Sequence, residues 1–104
     1  MSQFALHPEA FADLDEIREY IASENPDAAD RLMDEFFAEF RILAQFPQLG
    51  HARAELSSNP TRFRILREYL IAYVPDDSPL WILAVLHGRR NPRAMAAILR
   101  DRRE

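Results

Sequence analysis

The apolar residues of this 104-residue chain change their period midway, and few architectures accept such a change. Phe11, Leu14, Ile17 and Ile21 recur at three- and four-residue spacing, and so do Ala29, Leu32, Met33, Phe36, Phe37, Phe40, Leu43 and Ala44. From Arg62 onward the alternation is every second residue, so a helical period gives way to that of a strand. Helices and strands grouped in separate runs point to an α+β fold. One domain over residues 1–104 is expected, large enough to bury roughly 65% of its unfolded surface in a single core.

Local punctuation places the elements. Gln3 to His7 reads as a short first strand, and Pro8 suits the first position of a helix, where its missing N–H costs nothing. In that helix Phe11, Leu14, Ile17 and Ile21 are expected to face inward, with Asp13, Glu16 and Glu19 outward. Asn25-Pro26 ends it and caps a second helix, giving a helical hairpin. At about 100° per residue the second apolar set covers roughly 140° of its helix, more than a one-sided helix needs. That helix is expected to pack on both the first helix and a sheet; the alternative is that part of its phenylalanine stripe awaits a partner. Pro47 and Gly50 close it, and a polar connector with a turn at Ser57-Ser58-Asn59-Pro60 leads to Thr61.

The second half reads as three strands and a helix. Arg62 to Arg67 places arginines 62 and 64 on one face; Tyr69 to Val74 follows after a tight reversal at Arg67-Glu68. After the turn at Pro75 to Pro79, Leu80 to His87 is continuously apolar, as in a central strand buried on both faces. Pro92 to Arg103 forms a last helix with Met95, Ile98 and Leu99 inward and Arg100, Arg102 and Arg103 outward. Tyr69, Tyr73 and Trp81 fall at core spacing, and His7 and His51 flank helix ends in structural places.

Charge divides the same way. Residues 1–50 carry eleven acidic and three basic side chains, or −8; residues 51–104 carry six and ten, or +4, which together give the net −4. All thirteen basic residues are arginine. The guanidinium fork suits phosphates and carboxylates, and a GC-rich genome produces the same bias. With two glycines there is no glycine-rich phosphate loop, and no ligand spacing recommends a metal or cofactor. Without cysteine no disulfide forms, which fits a reducing cytoplasm; neither a membrane span nor a secretory signal is expected.

Four stretches, in order and with matching spacing, resemble the RelE/ParE superfamily of toxins from bacterial type II toxin–antitoxin modules. They are "HPEAFADLDEIREYIA" at 7–22, "NPDAADRLMDEF" at 25–36, "LAQFPQLGH" at 43–51, and "RFRILREYLIAY…ILAVLHGRRNP" over 62–92. The resemblance implies an N-terminal strand, a helical hairpin packed on a mainly antiparallel sheet, and a short C-terminal helix. It also implies a plasmid-stabilising toxin neutralised by a cognate antitoxin. Two activities occur on that fold, inhibition of DNA gyrase and ribosome-dependent cleavage of mRNA, so fold alone does not choose between them.

The lysines of one nuclease version are absent, and the ending "GRRNPRAMAAILRDRRE" with the long hairpin resembles the ParE-like, gyrase-poisoning branch more closely. That leans against an enzyme. Target binding is then expected of Arg62, Arg64, Arg67, His87, Arg89, Arg90 and Arg93, and antitoxin binding of Phe36, Phe37, Phe40 and Trp81. DNA is expected to be touched only through the antitoxin. In the alternative, a metal-independent endoribonuclease acting on ribosome and mRNA, Arg64, Arg67 and His87 would be catalytic, with Glu68 or Glu55 as base. A further alternative is an attenuated homologue that only binds antitoxin and represses transcription with it.

Overall fold

A computed structural model describes residues 4–57 and 60–103; Gln3 of the expected first strand, and Ser58 and Asn59 of the expected turn, lie outside the described residues. The elements are β1 (Phe4–Leu6), α1 (Pro8–Ala22), α2 (Pro26–Gln45), β2 (His51–Ala52), β3 (Arg62–Leu66), β4 (Tyr69–Val74), β5 (Leu80–His87) and α3 (Pro92–Arg103). The strands form one sheet in the order β1-β5-β4-β3-β2, with β1 parallel to β5 and every other pair antiparallel. This is the α+β arrangement expected: a hairpin on a mainly antiparallel sheet, and a C-terminal helix.

The helix starts follow from their caps. His7 accepts the Glu9 N–H through Nδ1, Asn25 accepts the Ala28 N–H through its side chain, and proline opens each helix. The hairpin packs on one sheet face through Leu14, Leu32, Phe36 and Phe40 against Tyr69, Ile71, Tyr73, Ile82 and Val85. The opposite face carries Phe63, Leu70, Ala72, Leu83 and Leu86, covered by Leu56 of the connector and by Met95 and Leu99 of α3. A bulge between Ala72 and Tyr73, whose partners are Ala84 and Ile82, leaves Leu83 unmatched in β5. It shifts the alternation by one, so Ile82 and Val85 both reach the hairpin face. With one face on the hairpin and the other on α3, β5 reads as an unbroken apolar run. The middle strand is β4, buried along its whole length, with β5 beside it.

Five expectations are corrected. Phe11 stands 56% exposed, because α1 buries Ala10 and Leu14 instead. The larger apolar side chain suggested the wrong register by one position, or about 100° of helix. Asp13 therefore turns inward: its carboxylate accepts the Val85 N–H and a bidentate pair of bonds from Arg102. Arg102, expected in solvent, lies seven residues after Met95 and so shares the buried stripe of α3, where it also donates to the Leu83 carbonyl. Arg103 likewise turns in toward the Thr61 hydroxyl. Finally, the polar connector contains β2, which pairs His51 with Phe63 and Ala52 with Arg62. Two residues carry no detectable period, so this strand was not legible.

Candidate functional site

Of the expected target-binding residues, Arg67, His87, Arg89 and Arg90 gather at one end of the sheet, where two turns meet, whereas Arg62 lies at the far end of β3, opposite Tyr73. Leu66 and Tyr69 close the β3–β4 hairpin around Arg67-Glu68, with Arg67 at φ 55°, a left-handed conformation that non-glycine residues adopt at a cost. Beside it, β5 runs out at His87 and turns into α3. The Gly88 N–H donates to the Glu68 carbonyl at 2.8 Å and joins the turns. A Cβ on Gly88 would fall 3.1 Å from that carbonyl oxygen, so the close approach favours glycine here.

His87 lies opposite Tyr69, whose ring it meets edge-on at 5.5 Å. Its Nδ1 accepts the Arg89 N–H at 3.1 Å, which places the ring proton on Nε2, 3.6 Å from the Glu68 carboxylate. The neutral ring thus has no free lone pair. Between α1 and this end of β5 is a groove of about 430 Å³ bordered by Ile17, Tyr69, His87, Arg89 and Arg90. Tyr20, 80% exposed, stands at its edge and was not anticipated from the sequence.

The strand arginines are engaged from within. Arg62 donates to the Gly50 carbonyl. Arg64 donates through Nε to Glu39 of α2 at 2.7 Å, and the Glu39 side chain is largely buried. Arg67 makes a two-pronged contact with Glu35 of α2, at 2.8 and 2.7 Å. Those hydrogen bonds hold the Glu35 carboxyl below its ordinary pKa, and the same contact raises that of Arg67. Sequence reasoning missed Glu35 and Glu39; their spacing of four on one helix face was the available signal.

The other three arginines are different. Arg89, Arg90 and Arg93 are exposed, and among the described residues their guanidinium groups have no partner. They cluster at the start of α3, where Asn91 caps the Arg93 and Ala94 N–H groups. The first turns of α1 and α2 each hold an acidic residue, Glu9 and Asp27, whereas that of α3 holds none. Three cations at the positive end of a helix dipole disfavour one another and suit an anionic partner.

The expected antitoxin contacts do not share a surface. Phe36 and Phe40 are fully buried and hold the hairpin on the sheet. Phe37 and Trp81 are partly exposed but pack on opposite sheet faces. Among the described residues no cluster of histidine and carboxylate side chains is placed to hold a metal, and no helix is long and apolar enough to cross a membrane.

A family model described as the ParE toxin of the type II toxin–antitoxin system, parDE, matches residues 4–92. Proteins named Toxin ParE2 from two Mycobacterium tuberculosis strains, CDC 1551/Oshkosh and ATCC 25618/H37Rv, are each 37% identical over 92 residues. The alignment covers 86% of this chain and 85% of each relative.

Proposed function

Because the chain belongs to the ParE toxin family of type II toxin–antitoxin systems, we propose that it arrests growth by binding DNA gyrase rather than by catalysis. It acts in the cytoplasm, stabilises the replicon that encodes it, and is restrained by a cognate antitoxin. The observation that carries binding over catalysis is the engagement of Arg64, Arg67 and His87, the three residues expected to be catalytic in a nuclease. Metal-free RNA cleavage requires a base for the 2′-OH, an acid for the leaving oxygen and cations for the phosphorane. A phosphate approaching Arg64 and Arg67 meets the carboxylates of Glu39 and Glu35 with them, so the local field is nearly neutral. His87 lacks a free acceptor nitrogen to serve as base.

One observation favours the endoribonuclease reading instead: His87, Glu68, Arg89 and Arg90 border a single groove. Gyrase supercoiling and ribosome-dependent mRNA cleavage, assayed side by side, separate the two. Inhibited supercoiling with uncut mRNA is expected, and His87→Ala should keep inhibition within a few-fold. Intact supercoiling together with cuts at the ribosomal A site, abolished by His87→Ala, overturns the proposal.

A further inference from the structure

The outer edge of β5 is only partly paired. Strand β1 covers it from Leu80 to Ile82, the His7 N–H reaches the Ile82 carbonyl, and there Pro8 turns the chain into α1. Among the described residues no strand takes up the edge beyond that point. Two polar groups further along it are bonded all the same. The Leu83 carbonyl accepts from the Arg102 guanidinium at 3.2 Å, and the Val85 N–H donates to the Asp13 carboxylate at 3.0 Å. The two side chains close on each other through bonds of 2.6 and 3.0 Å. Arg102 comes from α3 on one face of the sheet and Asp13 from the hairpin on the other, so the pair straps the edge from both sides.

The bonds have the pattern of a ladder. A residue of a parallel neighbour donates its N–H to one carbonyl of a strand and accepts the N–H two residues further on. Arg102 and Asp13 make the same two bonds, to Leu83 and Val85, with side chains in place of a backbone. An edge with free N–H and C=O groups is a template for another chain, and Leu83 to Leu86 is aliphatic throughout. Room for such a chain exists: the groove of about 430 Å³ between α1 and β5 reaches this edge, with Asp13 and Val85 in its lining. We propose that the Asp13–Arg102 pair is a plug that stands in for the missing strand and keeps the β5 edge of a second copy from pairing there. A second copy is the occupant the geometry favours, because the edge meets its twofold mate in antiparallel register with the same donors and acceptors on both sides. The plug does so whichever target the toxin binds.

The test opens the edge while keeping the fold. Asp13→Ala combined with Arg102→Met removes both halves of the plug together, so no buried charge is left behind. The double variant, verified as folded by circular dichroism, is compared with the unmodified chain by sedimentation velocity over a range of concentrations. Its self-association is expected to be roughly tenfold tighter or more, the effect of a few net ladder hydrogen bonds. Hydrogen exchange read by mass spectrometry should then find the protection that grows with concentration in residues 83–87 of β5. Arg102→Lys, which keeps a cation and a donor facing Asp13, is expected to associate no more than the unmodified chain. A pair that only adds stability predicts a folded double variant with unchanged self-association, and that result overturns the proposal. So does new association whose protection maps elsewhere, or an edge that takes up an added extended peptide of unrelated sequence but no second copy. Should the double variant fail to fold, Arg102→Met alone, which frees the Leu83 carbonyl, carries the same expectation at a few-fold and the same refutation.

Discussion

Removing the Asp13 carboxylate should destabilise this fold more than any other surface-to-core polar change, because two groups depend on it. Arg102 meets it through two bonds of 2.6 and 3.0 Å, and the side chains are only 13% and 16% exposed. Its Oδ2 also accepts the Val85 N–H at 3.0 Å, on an edge of β5 that β1 leaves uncovered beyond Ile82. Breaking a buried ion pair from one side costs about 3–5 kcal/mol, and partial exposure places this pair near the lower bound. Leaving the Val85 N–H without an acceptor adds about 1 kcal/mol. Asp13→Ala should therefore lose about 4 kcal/mol, a large part of the roughly 5–15 kcal/mol a domain this size possesses. The melting temperature should fall by about 15–25 °C. Urea unfolding followed by circular dichroism gives the value directly. Arg102→Met should cost less, since Asp13 keeps its bond to Val85, and the double variant should be milder than the sum by about 2 kcal/mol. A loss under about 1 kcal/mol for Asp13→Ala, or strict additivity in the cycle, would refute the reasoning.

Two further outcomes are expected. Gly50→Ala places a Cβ 2.6 Å from the Tyr73 hydroxyl and 2.7 Å from the Phe63 carbonyl, where backbone cannot yield cheaply. It should cost about 1–3 kcal/mol and disturb the clamp in which Tyr73 accepts the Gly50 N–H and donates to the Pro47 carbonyl; an unchanged urea midpoint contradicts this. Glu35 titrates below the ordinary 4.5 because of Arg67, so its pairing stabilises the fold above that pH and is lost as pH falls through the lowered value. Thermal melts should show Glu35→Gln less stable than the unmodified chain at neutral pH and equal to it in strong acid. A gap that is the same at both ends means that the pair contributes no pH-dependent stability.

What could be read from the sequence was whatever is local. Pro8, Asn25 and Pro26 announced the helix starts because capping is decided within three residues. The alternation from Arg62 announced the hairpin strands because each face repeats every second position. Phe11 misled because a periodic pattern locates a stripe only to within one residue, and size favoured Phe11 over Ala10 as its first member. Asp13 and Arg102 were illegible for a different reason. They are 89 residues apart, and nothing in either helix tells a buried charge from a solvated one until the sheet brings the two together.

The same argument applies to the candidate site and changes what the charge distribution means. An acidic first half and a basic second half read, in the sequence, as a protein polarised toward outside partners. Folding brings the halves face to face: Glu35 and Glu39 of α2 lie against Arg67 and Arg64, and Asp13 of α1 holds Arg102. Three of the second half's arginines are thus neutralised inside the chain, where such pairs contribute little stability when exposed but do quench the field that a phosphate would feel. The arginines of the second half whose guanidinium groups have no partner among the described residues are those around the start of α3, with Arg100 further along that helix. Arg89, Arg90 and Arg93 follow the last strand, and among the described residues none of them forms an ion pair with a carboxylate of α1 or α2. A recognition surface is defined by charge left over after the fold has used its own. By that criterion the row on β3, the most conspicuous basic pattern in the sequence, gives way to the turn after β5.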